Sequence, residues 1–190
     1  MEAGTYYVEP NPGTSLRASF TVPEGWRSWA GTYKEDPSNE DMYVGVTITP
    51  VTELSDDPCY VRSWSDPGPT VAELAQGLAA LPGMVVMEAP KEVTAFGFDG
   101  QHLILEVPDI AFDPERGSQG FLDCVGGEFH GYRASVGGER YYQGPRQSLE
   151  FWVLDVQGQR LLIEKTHFPQ STSSDLAELD VVVDSILIEP

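Results

Sequence analysis

The chain predicts an α+β fold in which an antiparallel β-sheet is sandwiched by helices. Three observations carry that expectation. Short β-branched and aromatic segments alternate in polarity and are punctuated by Gly, Pro and Asp turns. Two segments change to helical spacing and carry their own caps. At least one strand, "SLEFWVLDV" (148–156), is apolar toward both faces, with Leu149, Phe151 and Val153 on one side and Trp152, Leu154 and Val156 on the other. An antiparallel sheet with two buried faces needs a covering layer on each.

"LRASFTVPEGW" (16–26) alternates and stops at Pro-Glu-Gly, a first strand and its turn; residues 1–14 before it read as a frayed extension of a single domain spanning 1–190. "MYVGVTITPV" (42–51) is a further strand. In "PTVAELAQGLAALPG" Val71, Leu74, Ala75, Leu78 and Leu81 share one stripe, Thr70 and Glu73 form a capping box, and Pro82-Gly83 ends the helix. "MVVMEAPKEVTAFGFDGQHLILEVP" predicts a short strand followed by a hairpin turning at Asp99-Gly100. Residues 108–120 are a long loop, and from 125 the chain predicts a meander of four strands, "GEFHGYRA", "GERYYQ", "SLEFWVLDV" and "RLLIEKTHF". "STSSDLAELDVVVDSI" opens on a Ser/Thr cap with Asp175 in its first turn, and Leu176, Leu179, Val182, Val183 and Ile186 form its buried stripe.

Composition narrows function. At 190 residues and 41% hydrophobic content the chain can bury a full core. Thirty Asp and Glu against eleven Lys and Arg give a formal charge of -19, a field that repels phosphate backbones and anionic lipid, so nucleic acid is not an expected partner. No apolar run reaches the roughly 18 residues of a membrane-spanning helix, so direct membrane insertion by this chain is not expected either. The two cysteines, Cys59 and Cys124, sit in loop-like contexts without C-x-x-C spacing; a single disulfide is expected in preference to two free thiols, and such bonds persist in oxidising compartments.

The order of "VPEGW", the capped "PTVAELAQGLAAL" helix, the strand pair, the meander and the closing "LAELDVVVDSI" resembles the PsbP-like αβα sandwich family, and within it actinobacterial cell-envelope proteins of the LpqN lipoprotein kind. That resemblance implies a non-enzymatic, envelope-exposed or secreted domain behind a signal peptide or anchor, with no catalytic residue to carry over. The lipidation cysteine of the lipoprotein pattern does not occur at the start of this chain, so an anchor or signal is expected upstream of Met1, the alternative being that there is none.

The chemistry-bearing residues support a binding domain for an unknown envelope ligand or protein, with hydrolysis of an envelope glycan or peptide as the alternative. His102, His130 and His167 each fall in a strand, where surface hydrogen bonds satisfy such residues more often than a metal does. "DPSNED" (36–41) lacks the glycine and the later glutamate of a calcium loop; neither a metal nor an organic cofactor is expected. Glu128 and Glu150 could supply the two acids of a glycosidase from adjacent strands. The aromatic and basic stretch "GGERYYQGPRQSLEFW" (137–152) reads first as a hairpin with Tyr142 and Trp152 in the core. As a site, Arg140, Tyr141, Gln143 and Arg146 would form a groove at one end of the sheet, with forked arginine bonds to a carboxylate or sugar and a tyrosine face for stacking. Trp26 and Trp29 are a second aromatic candidate.

Overall fold

The computed structural model describes residues 1–11, 13–36, 39–135 and 138–190, the side chains of 36, 39–43 and 61 aside. Strands β1 (Gly4–Val8), β2 (Arg17–Val22), β3 (Arg27–Ser28), β4 (Gly31–Asp36), β5 (Asn39–Thr49), β6 (Val51–Asp57) and β7 (Val61–Ser65) precede helix α1 (Val71–Ala79). Strands β8 (Val85–Ala95), β9 (Phe98–Glu106), β10 (Phe129–Ala134), β11 (Gly138–Tyr142), β12 (Ser148–Val156) and β13 (Gln159–His167) lead to α2 (Ser173–Asp184), and β14 (Leu187–Glu189) ends the chain. They build three antiparallel sheets: β3-β4-β5-β13-β12-β9-β8, β11-β10-β6-β7 and β1-β2-β14.

The seven-stranded sheet is the frame because its central strands are apolar on both faces. Leu149, Phe151 and Val153 of β12, with Leu103 and Leu105 of β9, pack under α1 (Leu74, Ala75, Leu78) and against Phe129, Tyr132 and Tyr142 of the four-stranded sheet. Leu154, Val156, Leu161 and Ile163 face the other way, onto Trp26, α2 (Leu179, Val182, Val183) and Ala18, Phe20 and Ile188 of the three-stranded sheet. The fold is therefore α+β and mainly antiparallel. Each face is covered by a short helix together with a small sheet, where the sequence led us to expect helices alone. Two helices of nine and twelve residues cannot roof seven strands, and the small sheets supply the rest.

Both helices start where their side chains cap them. Thr70 Oγ1 accepts the Glu73 amide at 3.1 Å while the Glu73 carboxylate accepts the Thr70 amide at 2.8 Å. Thr172 accepts the Asp175 amide at 3.1 Å, and Lys34 reaches from β4 to Asp175 and Glu178 at 2.8 and 2.9 Å, tying α2 to the sheet.

Three expectations change. Residues 4–8 form β1, paired residue for residue with β2 from Gly4↔Val22 to Val8↔Ala18, because Tyr6 and Val8 pack on the apolar face that β2 and α2 share. The β8–β9 hairpin turns three residues early, at Phe96 (φ 55°) and Gly97 (φ 87°), and Asp99-Gly100 lies inside β9 opposite Thr94 and Val93. Gly100 serves close strand approach there, since a Cβ would sit 2.2 Å from the Val153 carbonyl oxygen. Pro90 is accommodated inside the long edge strand β8 at a register shift. Finally, the four-strand meander is split, with β10 and β11 in the four-stranded sheet and β12 and β13 in the seven-stranded one; residues 143–147 carry the chain between layers.

Cys59 and Cys124 form a disulfide that closes a separation of 65 residues. It joins the β6–β7 turn to the segment before β10, where Cys59 also accepts the Val125 amide at 2.8 Å.

Candidate binding site

Side chains along β11 alternate between faces, and that separates the residues expected to share a groove. Arg140 points inward and is 2% exposed, while Tyr141 points outward and is 37% exposed. Arg140 Nε donates to Glu164 Oε1 at 3.0 Å, and Tyr132 Oη donates to Glu164 Oε2 at 2.8 Å; Glu164, on β13, is wholly buried. Arg140 Nη1 donates to the Tyr141 carbonyl at 3.1 Å and to Gln143 Oε1 at 3.4 Å. Gln147 links this group to β13 by donating to Gln143 Oε1 at 3.0 Å and Thr166 Oγ1 at 2.7 Å. Burial first, and the Glu164 charge second, hold the Tyr132 phenol well above its ordinary range, so it stays a donor. Arg140 and Gln143 are thus polar struts between two sheets. Arg146 is exposed in the turn before β12 with φ 59°. No groove of the four residues forms. Trp152 is half-buried beside Phe96 and His102, and Phe151 is the fully buried member of the pair.

The aromatic pair divides in the same manner: Trp26 is core, with its indole N–H on Glu178, and Trp29 is exposed near Arg140. The two acids proposed for hydrolysis lie in different layers. Glu150, on β12, accepts from His102 Nε2 at 2.9 Å and pairs with Lys165 at 3.2 Å, whereas Glu128, just before β10, pairs with Arg62. Among the described residues no three His, Cys, Asp or Glu side chains are grouped to hold a metal ion. The side chains of the acidic loop 36–41 lie outside those described.

A cleft of about 800 Å³ opens between the N-terminus of α1 and the outer part of the β8–β9 hairpin. Its walls are Pro69, Thr70, Val71 and Ala72 on the helix side and Glu92, Val93 and Thr94 on β8; Gly100 and Gln101 line it from β9. Glu92, Asp99 and Asp155 bring three carboxylates to it, and Arg160 brings its cation. Asp99 Oδ1 accepts from Thr94 Oγ1 at 2.7 Å and Asp155 Oδ1 accepts the Gly158 amide at 2.6 Å, which holds each acid in place. Arg160 is spent on main-chain carbonyls, donating to Val51 at 3.0 Å, to Thr70 at 3.3 Å and to Gly68, and burial lowers its pKa. The helix terminus is spent as well, because Glu73 already occupies it. The open valences of the cleft are therefore carboxylate oxygens. Strand-by-strand pattern could not reveal it, because its residues come from five separate elements and loops.

The outer face of the four-stranded sheet is the other chemically dense region. A register shift at Gly131 lets Phe129 and Tyr132 both face the core, while His130 and Arg133 both face out. Gly131 is required, since a Cβ would meet Tyr142 Oη at 2.5 Å. His130 contradicts the expectation of a surface-satisfied strand histidine: its side chain is 5% exposed, and neither ring nitrogen has a hydrogen-bond partner. Glu128 Oε2 stands 3.5 Å from Nε2 and Glu139 Oε2 3.9 Å from Nδ1. Burial lowers the His130 pKa against the opposing pull of Glu128.

Fold and sites together define a disulfide-linked, mainly antiparallel α+β chain with an acidic cleft. It is similar to LpqN of Mycobacterium tuberculosis, a protein involved in cell envelope biogenesis, at 15% identity and a TM-score of 0.49, covering 98% of this chain and 91% of that one. It is also similar to cyanobacterial PsbP (CyanoP) of Synechocystis sp. PCC 6803, at 13% identity and a TM-score of 0.42, covering 98% and 94%. At this level the similarity is one of chain path and assigns no site residue. No protein-family model and no curated protein matches the chain.

Proposed function

We propose that the chain is a non-enzymatic binding domain of the cell envelope or of a secreted protein, and that its ligand seats in the cleft between α1 and the β8–β9 hairpin through an amine or another cationic group. The observation that carries the site is the cleft itself, three carboxylates around about 800 Å³ with the one lining cation already committed. That volume lies within the roughly 300–1,000 Å³ of small-molecule sites. The formal charge of -19 adds a field that draws cations toward it. The disulfide supports the compartment, because a bond joining the two cysteines of the chain persists where thiols are not kept reduced. Among the described residues no helix is long and apolar enough to cross a membrane.

The test is a thermal-shift and calorimetric panel on the whole chain with primary amines, quaternary amines and amino sugars, each against its carboxylate counterpart. Amine-bearing compounds should raise the melting temperature in a concentration-dependent way, and Asp99→Asn and Asp155→Asn should each remove the effect. Stabilisation by the carboxylates instead, or amine binding untouched by both substitutions, would reject the cleft. Hydrolysis of a glycan or peptide offered in the same panel would replace binding by catalysis.

A further inference from the structure

Ser55, on β6, adds a third atom to the two orphaned nitrogens of His130. Its Oγ is buried and has no hydrogen-bond partner among the described residues. Ser55 lies directly opposite Trp64 of β7, and Trp64 stands edge-on to His130 with ring centroids 5.7 Å apart. Tyr141 approaches the same imidazole from β11 at 6.4 Å. The two aromatic rings therefore ride on the two edge strands of the sheet and flank the orphaned atoms between them. A buried donor or acceptor left unpaired is destabilising, and such groups are rare in folded proteins. Three on the inner strands β6 and β10, between the two rings, mark a place that a ligand can satisfy.

The surrounding charges select the partner. Glu128 is held by Arg62 and by Gln119 at 3.3 Å, and Arg133 is shared between Glu139 at 2.7 Å and Glu53 at 3.3 Å. Both arginines are already neutralised, so an anion gains little and meets three glutamates. A cation gains equally little, because the two arginines already occupy those carboxylates. What the face offers without conflict is two aromatic planes, a neutral imidazole with one donor and one acceptor, and a hydroxyl that does both. We infer that this face is a second ligand site, for a neutral polyhydroxylated ring such as a sugar residue, whose C–H face lies against Trp64 and Tyr141 and whose hydroxyls satisfy His130 and Ser55. Entry requires the Trp64 indole to shift on its edge strand, carrying with it the Arg133 guanidinium stacked 4.4 Å above the ring. The site is independent of the acidic cleft and stands or falls without it.

The experiment is a titration of the whole chain with neutral methyl glycosides of several sugars, with glucosamine and glucuronate as cationic and anionic controls. It is followed by Trp fluorescence and by the ring nitrogen and carbon resonances of His130. A neutral glycoside should shift the His130 resonances and saturate, and Trp64→Ala and His130→Ala should each weaken it by about tenfold or more, the loss of one stacked ring or one paired hydrogen bond. Val181→Ser, on the exposed side of α2, should bind as the parent does. The His130 resonances of the unsubstituted chain decide the matter if a variant folds poorly. Unmoved resonances at saturating glycoside, equal binding of the charged controls, or binding that survives both substitutions would overturn the inference.

Discussion

Replacing Arg140 by methionine tests how the two sheets are joined. An exposed arginine would tolerate the change within a few tenths of a kcal/mol. In the structure Arg140 is 2% exposed and its partner Glu164 is 0% exposed, so the substitution strands a carboxylate in the core with the Tyr132 hydroxyl as a remaining donor. Breaking a buried pair from one side costs about 3–5 kcal/mol. For a chain of this length that lowers the melting temperature by roughly 6 to 20 °C. Removing both charges relieves the stranded carboxylate, so Arg140→Met with Glu164→Leu should be more stable than Arg140→Met alone. Urea unfolding at neutral pH of the parent, both single variants and the double variant closes the cycle. A single Arg140→Met variant within about 1 kcal/mol of the parent, or a double variant no better than its worse parent, would refute the inward placement of Arg140.

Three further outcomes follow from the packing. Cys59→Ser with Cys124→Ser should cost about 4 kcal/mol in urea unfolding, the chain-entropy value for a separation of 65 residues, and a loss below about 1 kcal/mol would contradict it. Phe151→Ala should cost about 3–5 kcal/mol and Trp152→Ala roughly half that, because Phe151 is fully buried and Trp152 is not; the reverse order would count against the sheet faces. His130 should make stability depend on pH. Its folded pKa is lowered by burial below the ordinary 6.5, so the unfolded chain binds the proton first, and stability falls as pH drops from 6.5 toward the folded value and is flat above. His130→Gln should remove that component of the urea-midpoint profile, and a parent that gains stability on acidification through the same window would contradict the sign.

Local signals were legible wherever a single element carried them. The Thr70–Glu73 box and the Thr172 cap mark both helix starts, and "SLEFWVLDV" displays its two buried faces by alternation alone. Alternation also held the answer at Arg140: neighbours on a strand point apart, so Arg140 and Tyr141 could not serve one groove, and pairing Arg140 with Tyr142 would have turned it inward. The hairpin was misplaced because Asp-Gly is the stronger turn signal. The structure instead uses Phe96 at positive φ, which β-pairing of Ala95 with Phe98 imposes and no propensity for phenylalanine foretells. Sheet membership was hidden for a different reason, since strands of either layer share the same period of two. The buried Glu164 becomes intelligible only beside Arg140, and the cleft only once α1, β8, β9 and the β12–β13 turn are assembled.

The central claim is a ligand seated in the acidic cleft without being turned over. Heteronuclear NMR of the oxidised chain, titrated with the best amine from the panel, tests it most directly. The backbone amides of Val71, Ala72, Thr94, Gly100 and Gly158 should move together and saturate at one equivalent, those of α2 should stay still, and the ligand spectrum should remain unchanged over days. Cleft amides that do not move at saturating amine, or product signals growing in the same tube, would contradict the account.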